Sequence, residues 1–255
     1  AWQWPTDEWQ AISLNYTSGT TGNPKGVVYH HRGAATNAVS NILEWDMPKH
    51  AVYLWTLPMF HCDGWGLLYA TTGIGAKQVV IRQIDGTEIL RRIEEHGVTV
   101  LACAPAVLNA VLDALPDWEG ETGRDRVRCI VAGAPPPTRT IQRVREELGW
   151  EFIQIYGLTE TSPLLTVNRT RAEWDDLSAD ERAAKLVRAG APALGVRLST
   201  GPEGEVLARS NVVLEGYWEQ PEETERALGD GWFHTGDGGS IGDDGYLTIA
   251  DRKKD

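Results

Sequence analysis

Apolar runs that resemble strands alternate with helix-like runs through the first three quarters of the chain, and this alternation constrains the fold most strongly. The run 98–103, apolar except for Thr99, is typical of a strand buried on both faces. Before it, a helix is predicted over 88–96, with Thr87 as its N-cap and Gly97 at its end. Strands and helices that alternate at this spacing form βαβ units. We therefore predict an α/β fold, a mainly parallel sheet with flanking helices, followed by a small β-rich subdomain.

The same patterns assign the remaining elements of the α/β part. Ser178 and Glu181 form a capping box that opens a helix reaching Arg188, and charges on most faces of this helix predict a solvated surface insertion. Gly149 ends the helix before the last predicted strand of this part. The other predicted strands are 11–16, 27–30, 52–57, 78–82, 128–132 and 151–156, and the other predicted helices are 32–45, 65–72, 106–115 and 138–148.

The pattern changes after Gly190 to short strands and turns, at 195–198, 204–209, 231–233 and 246–249. Such closely spaced strands and turns are typical of a β-rich unit. We predict an α/β subdomain over 1–190 and a small β-rich subdomain over 191–252.

Charge and composition exclude several classes of function. Twenty-four Lys and Arg against 36 Asp and Glu give a net charge of −12, which disfavours duplex nucleic acid and anionic membranes as partners. The longest apolar runs fall far short of the ~20 residues that cross a bilayer. Three widely spaced cysteines without a CxxC pair indicate reduced thiols, and the N-terminus does not resemble a signal peptide. We expect a cytoplasmic protein without a nucleic-acid partner or a transmembrane segment.

The segment 16–26 has the composition of a phosphate-binding loop. Between two predicted strands it holds four serine and threonine residues, three glycines and Lys25. Glycines let backbone N–H groups approach a phosphate, hydroxyls donate to its oxygens, and lysine adds a positive charge. It is not a Walker A loop, because Pro24 precedes Lys25 and a strand follows. The alternative is a flexible Gly/Thr hairpin loop.

This loop resembles the phosphate-binding motif of the adenylate-forming superfamily, which includes acyl-CoA synthetases, peptide-synthetase adenylation domains and luciferases. Further segments resemble that family's motifs in the same order along almost the whole chain. These segments are Pro58-Met59-Phe60-His61-Cys62-Asp63-Gly64-Trp65, Ala132-Gly133-Ala134-Pro135, Tyr156-Gly157-Leu158-Thr159-Glu160-Thr161, Thr235-Gly236-Asp237 and Gly245-Tyr246-Leu247 with Asp251-Arg252-Lys253-Lys254-Asp255. The resemblance implies ATP-dependent activation of a carboxylic acid to an acyl-adenylate, followed by transfer to a thiol, usually coenzyme A.

The resemblance also implies roles for individual residues. Thr159 would contact the α-phosphate, and Glu160 with Thr17 would hold Mg²⁺, an ion that prefers oxygen ligands. Asp237 would accept both ribose hydroxyls, and Tyr156 would stack on adenine against the Gly133–Ala134 backbone. Thr159, Glu160 and His61 are the candidate catalytic residues. The residues assigned to binding of ATP are Thr17, Ser18, Gly19, Thr20, Thr21, Gly22, Lys25, Gly133, Ala134, Pro135, Gln154, Tyr156, Gly157, Asp237, Arg252 and Lys254.

The acyl side follows from the Pro58–Trp65 run, which looks most like that of bacterial medium-chain or related fatty acyl-CoA synthetases. His61, Cys62 and Trp65 match positions that line the carboxylate pocket and, in fatty-acid members, gate the acyl tunnel. Simple core packing is the alternative for Trp55 and Trp65. An aryl or amino-acid adenylating domain is the alternative within the superfamily.

Two departures from the family pattern set further expectations. Only fifteen residues precede Tyr16, where the family has a substantial subdomain, and the chain stops one residue after Lys254, which matches the family's hinge. Residues 253–255 would be the hinge to an absent C-terminal domain that carries a catalytic lysine. We expect a chain truncated at both ends that turns over poorly and self-associates through uncovered apolar surface. Two competing hypotheses are a nucleotide-binding fragment without turnover and a kinase-like P-loop transferase, and the loop sequence disfavours the second.

Overall fold

Seven strands form the largest sheet, and their order along it is β4-β3-β5-β6-β7-β8-β9. The computed structural model describes residues 3–17, 23–134 and 136–252, with residues 251 and 252 described by their backbone alone. The five strands from β4 to β7 in this order are parallel, and β8 and β9 continue the sheet antiparallel. The predicted α/β fold with a mainly parallel sheet is confirmed. The strands of this sheet are β3 (Val52–Trp55), β4 (Lys77–Val80), β5 (Val100–Cys103), β6 (Arg128–Val131), β7 (Glu151–Tyr156), β8 (Thr166–Asn168) and β9 (Ala191–Pro192).

Two antiparallel sheets accompany the central one. The first has the order β1-β2-β12 and joins a hairpin from the start of the chain to a strand near its end. The second has the order β10-β11-β13-β14. Their strands are β1 (Ala11–Tyr16), β2 (Gly26–His30), β12 (Gly216–Tyr217), β10 (Arg197–Thr200), β11 (Glu205–Arg209), β13 (Phe233–Ile241) and β14 (Leu247–Arg252).

Helices connect and cover these sheets. They are α1 (His31–Glu44), α2 (Cys62–Trp65), α3 (Leu67–Gly73), α4 (Gly86–His96), α5 (Pro105–Ala114), α6 (Thr138–Arg143), α7 (Ala179–Leu186) and α8 (Pro221–Leu228), and α6 continues as a π turn, Val144–Leu148. No helix in the described part of the chain is long and apolar enough to cross a membrane.

Helix boundaries follow local chemistry, with two corrections to the sequence predictions. The N-cap of α4 is Asp85, whose carboxylate accepts from the backbone N–H of Glu88, and not Thr87. Gly97 ends this helix as predicted, with φ of 64°. The capping box of α7 is present, but this helix is not merely a solvated insertion, because Ala183 and Leu186 are buried in the main core.

Apolar side chains fill both faces of the central sheet. Leu54, Leu101 and Cys129 belong to the cluster on one face, whereas Tyr53 and Ile130 belong to the cluster on the other. This alternation is that of strands buried on both sides, as predicted for residues 98–103. The candidate site described below lies at the carboxyl end of one of these buried strands, β7.

The division of the chain at residue 190 remains a prediction. Leu165 packs in one cluster with Ala208 and Phe233 from the later part of the chain. Strand β12 pairs with β2, and Gly190 itself forms a bridge to Leu247. The two predicted subdomains therefore share a sheet and a core cluster.

Candidate active site

The candidate site lies at the carboxyl end of β7, where the chain turns sharply after Tyr156. A short 3-10 helix, Thr159–Thr161, follows, and the Thr161 hydroxyl accepts from the backbone N–H of Leu158 at 3.0 Å. A Cβ on Gly157 would lie 1.5 Å from the carbonyl oxygen of Pro163. The turn therefore requires glycine at 157, and its packing fixes the direction in which Thr159 and Glu160 leave the sheet. Ligands of open α/β sheets commonly bind at such strand ends.

Tyr156 and Asp237 meet although they are 81 positions apart, with 2.7 Å between the Tyr156 hydroxyl and a carboxylate oxygen of Asp237. Asp237 is buried in β13, and its N–H donates to the Thr235 hydroxyl at 3.1 Å. Arg252 lies opposite Asp237 in the ladder between β13 and β14. The structure thus brings together Tyr156 and Asp237, which the resemblance assigns to the nucleoside, and places Arg252, which it assigns to ATP binding, opposite Asp237. Lys254 lies outside the described residues.

The loop after β6 supplies the other predicted nucleoside contacts. Gly133 has φ of 96°, a conformation that favours glycine, and a Cβ there would meet no atom within 4 Å. The glycine is thus required by the backbone conformation. Ala134 is exposed, and Pro135 lies outside the described residues. Gln154 is buried in β7, and its side-chain carbonyl oxygen has no hydrogen-bond partner in the described part of the chain.

Glu160 is oriented by a residue that the sequence analysis missed. The Tyr217 hydroxyl donates to its carboxylate at 2.9 Å, and its backbone carbonyl accepts from the N–H of Leu214 at 2.8 Å. Burial and the neighbouring Glu160 charge raise the pKa of Tyr217, so that it stays a hydrogen-bond donor. Tyr217 belongs to β12, a two-residue strand that the sequence analysis did not predict. One aromatic residue shortly after an apolar segment gives too weak a signal to assign a site.

Both ends of the candidate phosphate loop are fixed against each other. The backbone N–H of Thr17 donates to the carbonyl of Lys25 at 3.0 Å, and the backbone N–H of Lys25 donates to the Thr17 hydroxyl at 3.0 Å. The intervening predicted site residues Ser18, Gly19, Thr20, Thr21 and Gly22 lie outside the described residues. Lys25 forms an ion pair with Glu223, and its ammonium lies 4.8 Å from the ring centroid of Tyr217. Glu223, on α8, is a second site neighbour that the sequence analysis missed.

The segment predicted to hold the acid lies next to Thr159. The Cys62 thiol donates to the Thr159 hydroxyl at 3.4 Å, and the Tyr29 hydroxyl donates to the Thr159 carbonyl at 2.6 Å. Burial is the main cause that raises the pKa of Cys62 to about 11, so it remains a thiol at neutral pH. His61 is partly exposed, with Nε2 at 3.7 Å from the Cys62 sulfur. The predicted catalytic residues His61 and Thr159 are therefore joined through Cys62.

The backbone after His61 is left-handed over five consecutive residues, from Cys62 to Gly66, with φ between 50° and 74°. Non-glycine residues rarely adopt this conformation, which persists where surrounding contacts determine it. The Asp63 carboxylate accepts from the hydroxyls of Ser13 at 2.7 Å and Tyr69 at 3.1 Å. The Trp65 carbonyl accepts from the carboxamides of Asn41 at 2.9 Å and Asn37 at 3.3 Å.

The two tryptophans of this region are part of the core. Trp55 and Trp65 are both buried in the cluster that covers one face of the central sheet. A Cβ on Gly64 would lie 2.4 Å from the Trp55 ring, so the left-handed turn packs directly on this side chain. Core packing accounts for Trp55, and a role of Trp65 in substrate binding remains a prediction.

Magnesium fits the oxygen atoms available near the loop. Thr17 offers a hydroxyl and Glu160 a carboxylate, and Mg²⁺ is usually held by one or two carboxylates together with substrate phosphates and water. In the described ranges no group of three or more His, Cys, Asp or Glu side chains could hold a metal ion. A magnesium ion bound mainly through ATP does not need such a group.

A cavity of about 380 Å³ lies at the opposite end of the strands from the candidate site, next to the amino ends of β6 and β7. Trp150, Phe152, Arg126 and Arg182 are among its lining residues. It contains none of the predicted site residues, and it is distinct from the candidate site.

Comparisons with known proteins identify the family to which the chain is similar. Residues 3–218 match the family described as AMP-binding enzyme. The chain is 40% identical to 2-methylpropanoate–CoA ligase of Humulus lupulus, in a match that covers 100% of the chain and 48% of that protein. It is 39% identical to the peroxisomal acetate/butyrate–CoA ligase of Arabidopsis thaliana, over 100% of the chain and 47% of that protein. The chain spans about half the length of the curated relatives that it matches.

A solved structure supports the same family. The structure of o-succinylbenzoate coenzyme A synthetase from Bacillus subtilis in complex with ATP and magnesium ion superimposes with a TM-score of 0.85. The two sequences are 26% identical, and the match covers 98% of this chain and 51% of that one.

Proposed function

Because the chain belongs to the family of AMP-binding enzymes, we propose that it activates a carboxylic acid with ATP, giving an acyl-adenylate and then an acyl-CoA. The observation that carries this proposal is the set of contacts around Thr159. On one side, its hydroxyl accepts from Cys62 of the predicted acyl segment at 3.4 Å. On the other, the adjacent Glu160 is tied to Tyr217, beside the predicted phosphate lysine, Lys25. An acid and the α-phosphate of ATP would therefore meet at this residue.

The proposed first step is an in-line attack of the acid carboxylate on the α-phosphorus, with pyrophosphate leaving. Such a step depends on positioning and on stabilising negative charge that spreads over the phosphate oxygens. Thr159 would donate to an α-phosphate oxygen, and Lys25 would neutralise distal phosphate charge. Magnesium, held by Glu160 and Thr17 together with ATP, would supply further positive charge. In the second step the coenzyme A thiol would displace AMP from the acyl carbon.

The proposed nucleoside site consists of Tyr156, Asp237 and the loop at Gly133. The hydrogen bond between Tyr156 and Asp237 supports this assignment, because it fixes the stacking ring beside the carboxylate that would accept the ribose hydroxyls. Gln154, Gly157 and Arg252 remain proposed contacts on the strands that carry these residues.

Two classes of acid are candidates. The Pro58–Trp65 run supports a medium- or long-chain fatty acid, the class predicted from the sequence. The names of the relatives support shorter or aromatic acids, since one acts on 2-methylpropanoate, one on acetate or butyrate, and one on o-succinylbenzoate. The fatty-acid preference is not confirmed by them, and neither is a cytoplasmic location, since one of these relatives is peroxisomal.

Pyrophosphate release tests the proposal. The assay contains ATP, Mg²⁺ and one acid from a panel that runs from acetate through 2-methylpropanoate to palmitate and includes benzoate. It is run with the 255-residue chain and with any longer product of the same gene. Glu160→Ala should abolish release, whereas Glu119→Ala, a matched change at an exposed carboxylate, should not. No release by the longer product with any acid, or equal release by Glu160→Ala and the unmodified protein, would contradict the proposal.

A further inference from the structure

Helix α8 reaches the candidate phosphate site through a single acidic side chain. The Glu223 carboxylate forms an ion pair with the Lys25 ammonium, and both side chains are about one third exposed, 29% and 33%. This contact joins residues 198 positions apart. The pairing with Lys25 is the main cause that lowers the pKa of Glu223, so this carboxylate is charged at neutral pH. Glu223 also pairs with Arg226 within the helix.

The position of Glu223 is fixed by its neighbour in α8. The backbone N–H of Tyr217 donates to the Thr224 hydroxyl at 2.9 Å, and this hydroxyl donates to the carbonyl of Gln220 at 2.9 Å. The start of α8 is thereby attached to β12, the strand that carries Tyr217. Glu223 is thus held where it meets Lys25 beside the Tyr217 ring, while the hydroxyl end of this ring contacts Glu160.

We propose that Glu223 is a positioning residue of the nucleotide site, an internal counter-ion that occupies Lys25 until a polyphosphate replaces it. This inference rests on the proposed function, which assigns Lys25 to the distal phosphates of ATP. A carboxylate and a phosphate compete for the same ammonium, and they also repel each other across it. The Lys25 ammonium lies over the Tyr217 ring and pairs with Glu223, whereas the Glu160 carboxylate accepts a hydrogen bond from the Tyr217 hydroxyl. Glu223, and not Glu160, is therefore the anion that pairs with Lys25. The nucleotide therefore binds against a competing internal anion.

The decisive variant is Glu223→Gln, which keeps the shape of the side chain and removes its charge. We expect ATP to bind about two- to fivefold more tightly, since partly exposed ion pairs contribute up to roughly this much. Binding is measured by isothermal titration calorimetry with ATP and EDTA, so that the result does not depend on magnesium or on turnover. A residue with a merely structural role would give weaker or unchanged binding, and circular dichroism checks that each variant is folded.

Glu222→Gln is the matched control, because Glu222 lies in the same first turn of α8, is exposed and loses the same charge. It should change ATP affinity less than Glu223→Gln does. In a Lys25→Gln background the effect of Glu223→Gln should disappear, because the competition requires the ammonium. Raising the ionic strength should reduce the difference between Glu223→Gln and the unmodified chain.

The outcomes separate the two proposals. Equal or weaker ATP binding by Glu223→Gln, with normal binding by the unmodified chain, would overturn the counter-ion role and leave the nucleotide site in place. Equal tightening by Glu222→Gln, or persistence of the effect without Lys25, would also overturn it. No binding by either the unmodified chain or Glu223→Gln would overturn both, and the pyrophosphate assay would then fail as well.

Discussion

The central sheet and the three-stranded sheet β1-β2-β12 are built in opposite ways. The central sheet uses strands that follow one another between residues 52 and 192, and apolar clusters cover both of its faces. The small sheet joins strands from the two ends of the chain. Some of its side chains contact the site, through Tyr29 to Thr159 and Tyr217 to Glu160. Others are exposed, such as Leu14, by 43%.

From this difference we expect the central sheet to determine mainly the stability of the protein and the small sheet mainly the proposed binding of ATP. Burial of apolar area is the dominant favourable term in folding, so the central sheet should carry most of the stability. The small sheet positions charged and polar groups through individual hydrogen bonds, each of which contributes little to stability. Substitutions in one region should therefore act mainly on unfolding, and substitutions in the other mainly on ATP binding.

The largest loss of stability is expected from Leu54→Ala in the central sheet. Leu54 is fully buried in β3, and truncating a buried leucine costs about 2–5 kcal/mol because a cavity remains. Leu14→Ala, the same change in β1 of the small sheet, should cost less than about 1 kcal/mol, since Leu14 is partly exposed. Urea unfolding of both variants measures the difference. Equal losses would break the comparison.

Gly157→Ala acts where the two regions meet. The added methyl would overlap the Pro163 carbonyl, which lies 1.5 Å from the Cβ position, so the turn must move. We expect a loss of stability of about 1–3 kcal/mol, accompanied by loss of ATP binding. The control is Gly73→Ala, at the end of α3, where a Cβ meets no atom within 4 Å. Thermal unfolding and ATP titration of the pair test this, and wild-type behaviour of Gly157→Ala would contradict the assigned turn geometry.

Tyr217→Phe removes one hydroxyl group from the small sheet and so tests the contact between this sheet and Glu160. The ring and its contact with Lys25 remain, but the hydrogen bond to Glu160 is lost, which should cost about 1 kcal/mol of stability. The affinity for ATP with Mg²⁺ should fall more than the affinity for ATP with EDTA, because Glu160 is the proposed magnesium ligand. Tyr16→Phe, at an exposed tyrosine of the same sheet, should change neither affinity. Equal losses with and without magnesium would exclude this role for Tyr217.

The smallest expected effect is the pH dependence of stability, to which His30 in β2 and His234 in β13 contribute with opposite signs. Burial is the main cause that lowers the pKa of His30 in β2, and the charge of Arg32 lowers it further. The hydrogen bond to the Val213 carbonyl and the charge of Glu215 act in the opposite direction but do not offset the burial. Hydrogen bonds to Glu205 and Asp230 raise the pKa of His234 in β13. His30 therefore stabilises the fold above the ordinary histidine pKa of about 6.5, and this contribution is lost as the pH falls.

The contribution of His234 is complete below about pH 6.5 and is lost as the pH rises through its folded pKa. NMR titration of the ring protons should place the midpoint of His30 below, and that of His234 above, the ordinary value. A common midpoint near the ordinary value would contradict both environments. His30→Asn and His234→Asn should shift the pH profile of thermal unfolding in opposite directions.

The central sheet was well predicted because its strands and the helix ends between them are specified by residues close together in the sequence. Runs such as 98–103 specify buried strands, and Gly97 and Gly149 mark helix ends through their own backbone conformation. Thr87 and Asp85 are both good N-caps, and the choice of Asp85 depends on where α4 packs. Local pattern does not decide between two equivalent caps two residues apart.

The candidate site was predictable only in part. The motifs predicted Tyr156, Thr159, Glu160 and Asp237 as site residues. The structure places Tyr156 at the end of β7, Thr159 and Glu160 in the 3-10 helix that follows, and Asp237 in hydrogen-bond contact with Tyr156. Tyr217 was missed because it acts through long-range contacts, and neither β12 nor α8, which carries the other missed neighbour, was predicted.

The left-handed turn from Cys62 to Gly66 was also missed. Three of its residues are not glycine, and contacts with distant side chains specify its conformation. A local sequence pattern does not contain those contacts.

The pairing of β12 with β2 has a consequence for the order in which the protein is made. Tyr217 pairs with Val27, which is 217 minus 27, or 190, positions earlier. A chain emerging from the ribosome at about 5–20 residues per second could complete the parallel part of the central sheet, which ends at Tyr156, before β12 exists. Strand β2 must then keep its edge unpaired until the later segment arrives. If the proposed nucleotide site is correct, it is complete only after Asp237 has emerged, which is later than the parallel strands of the central sheet.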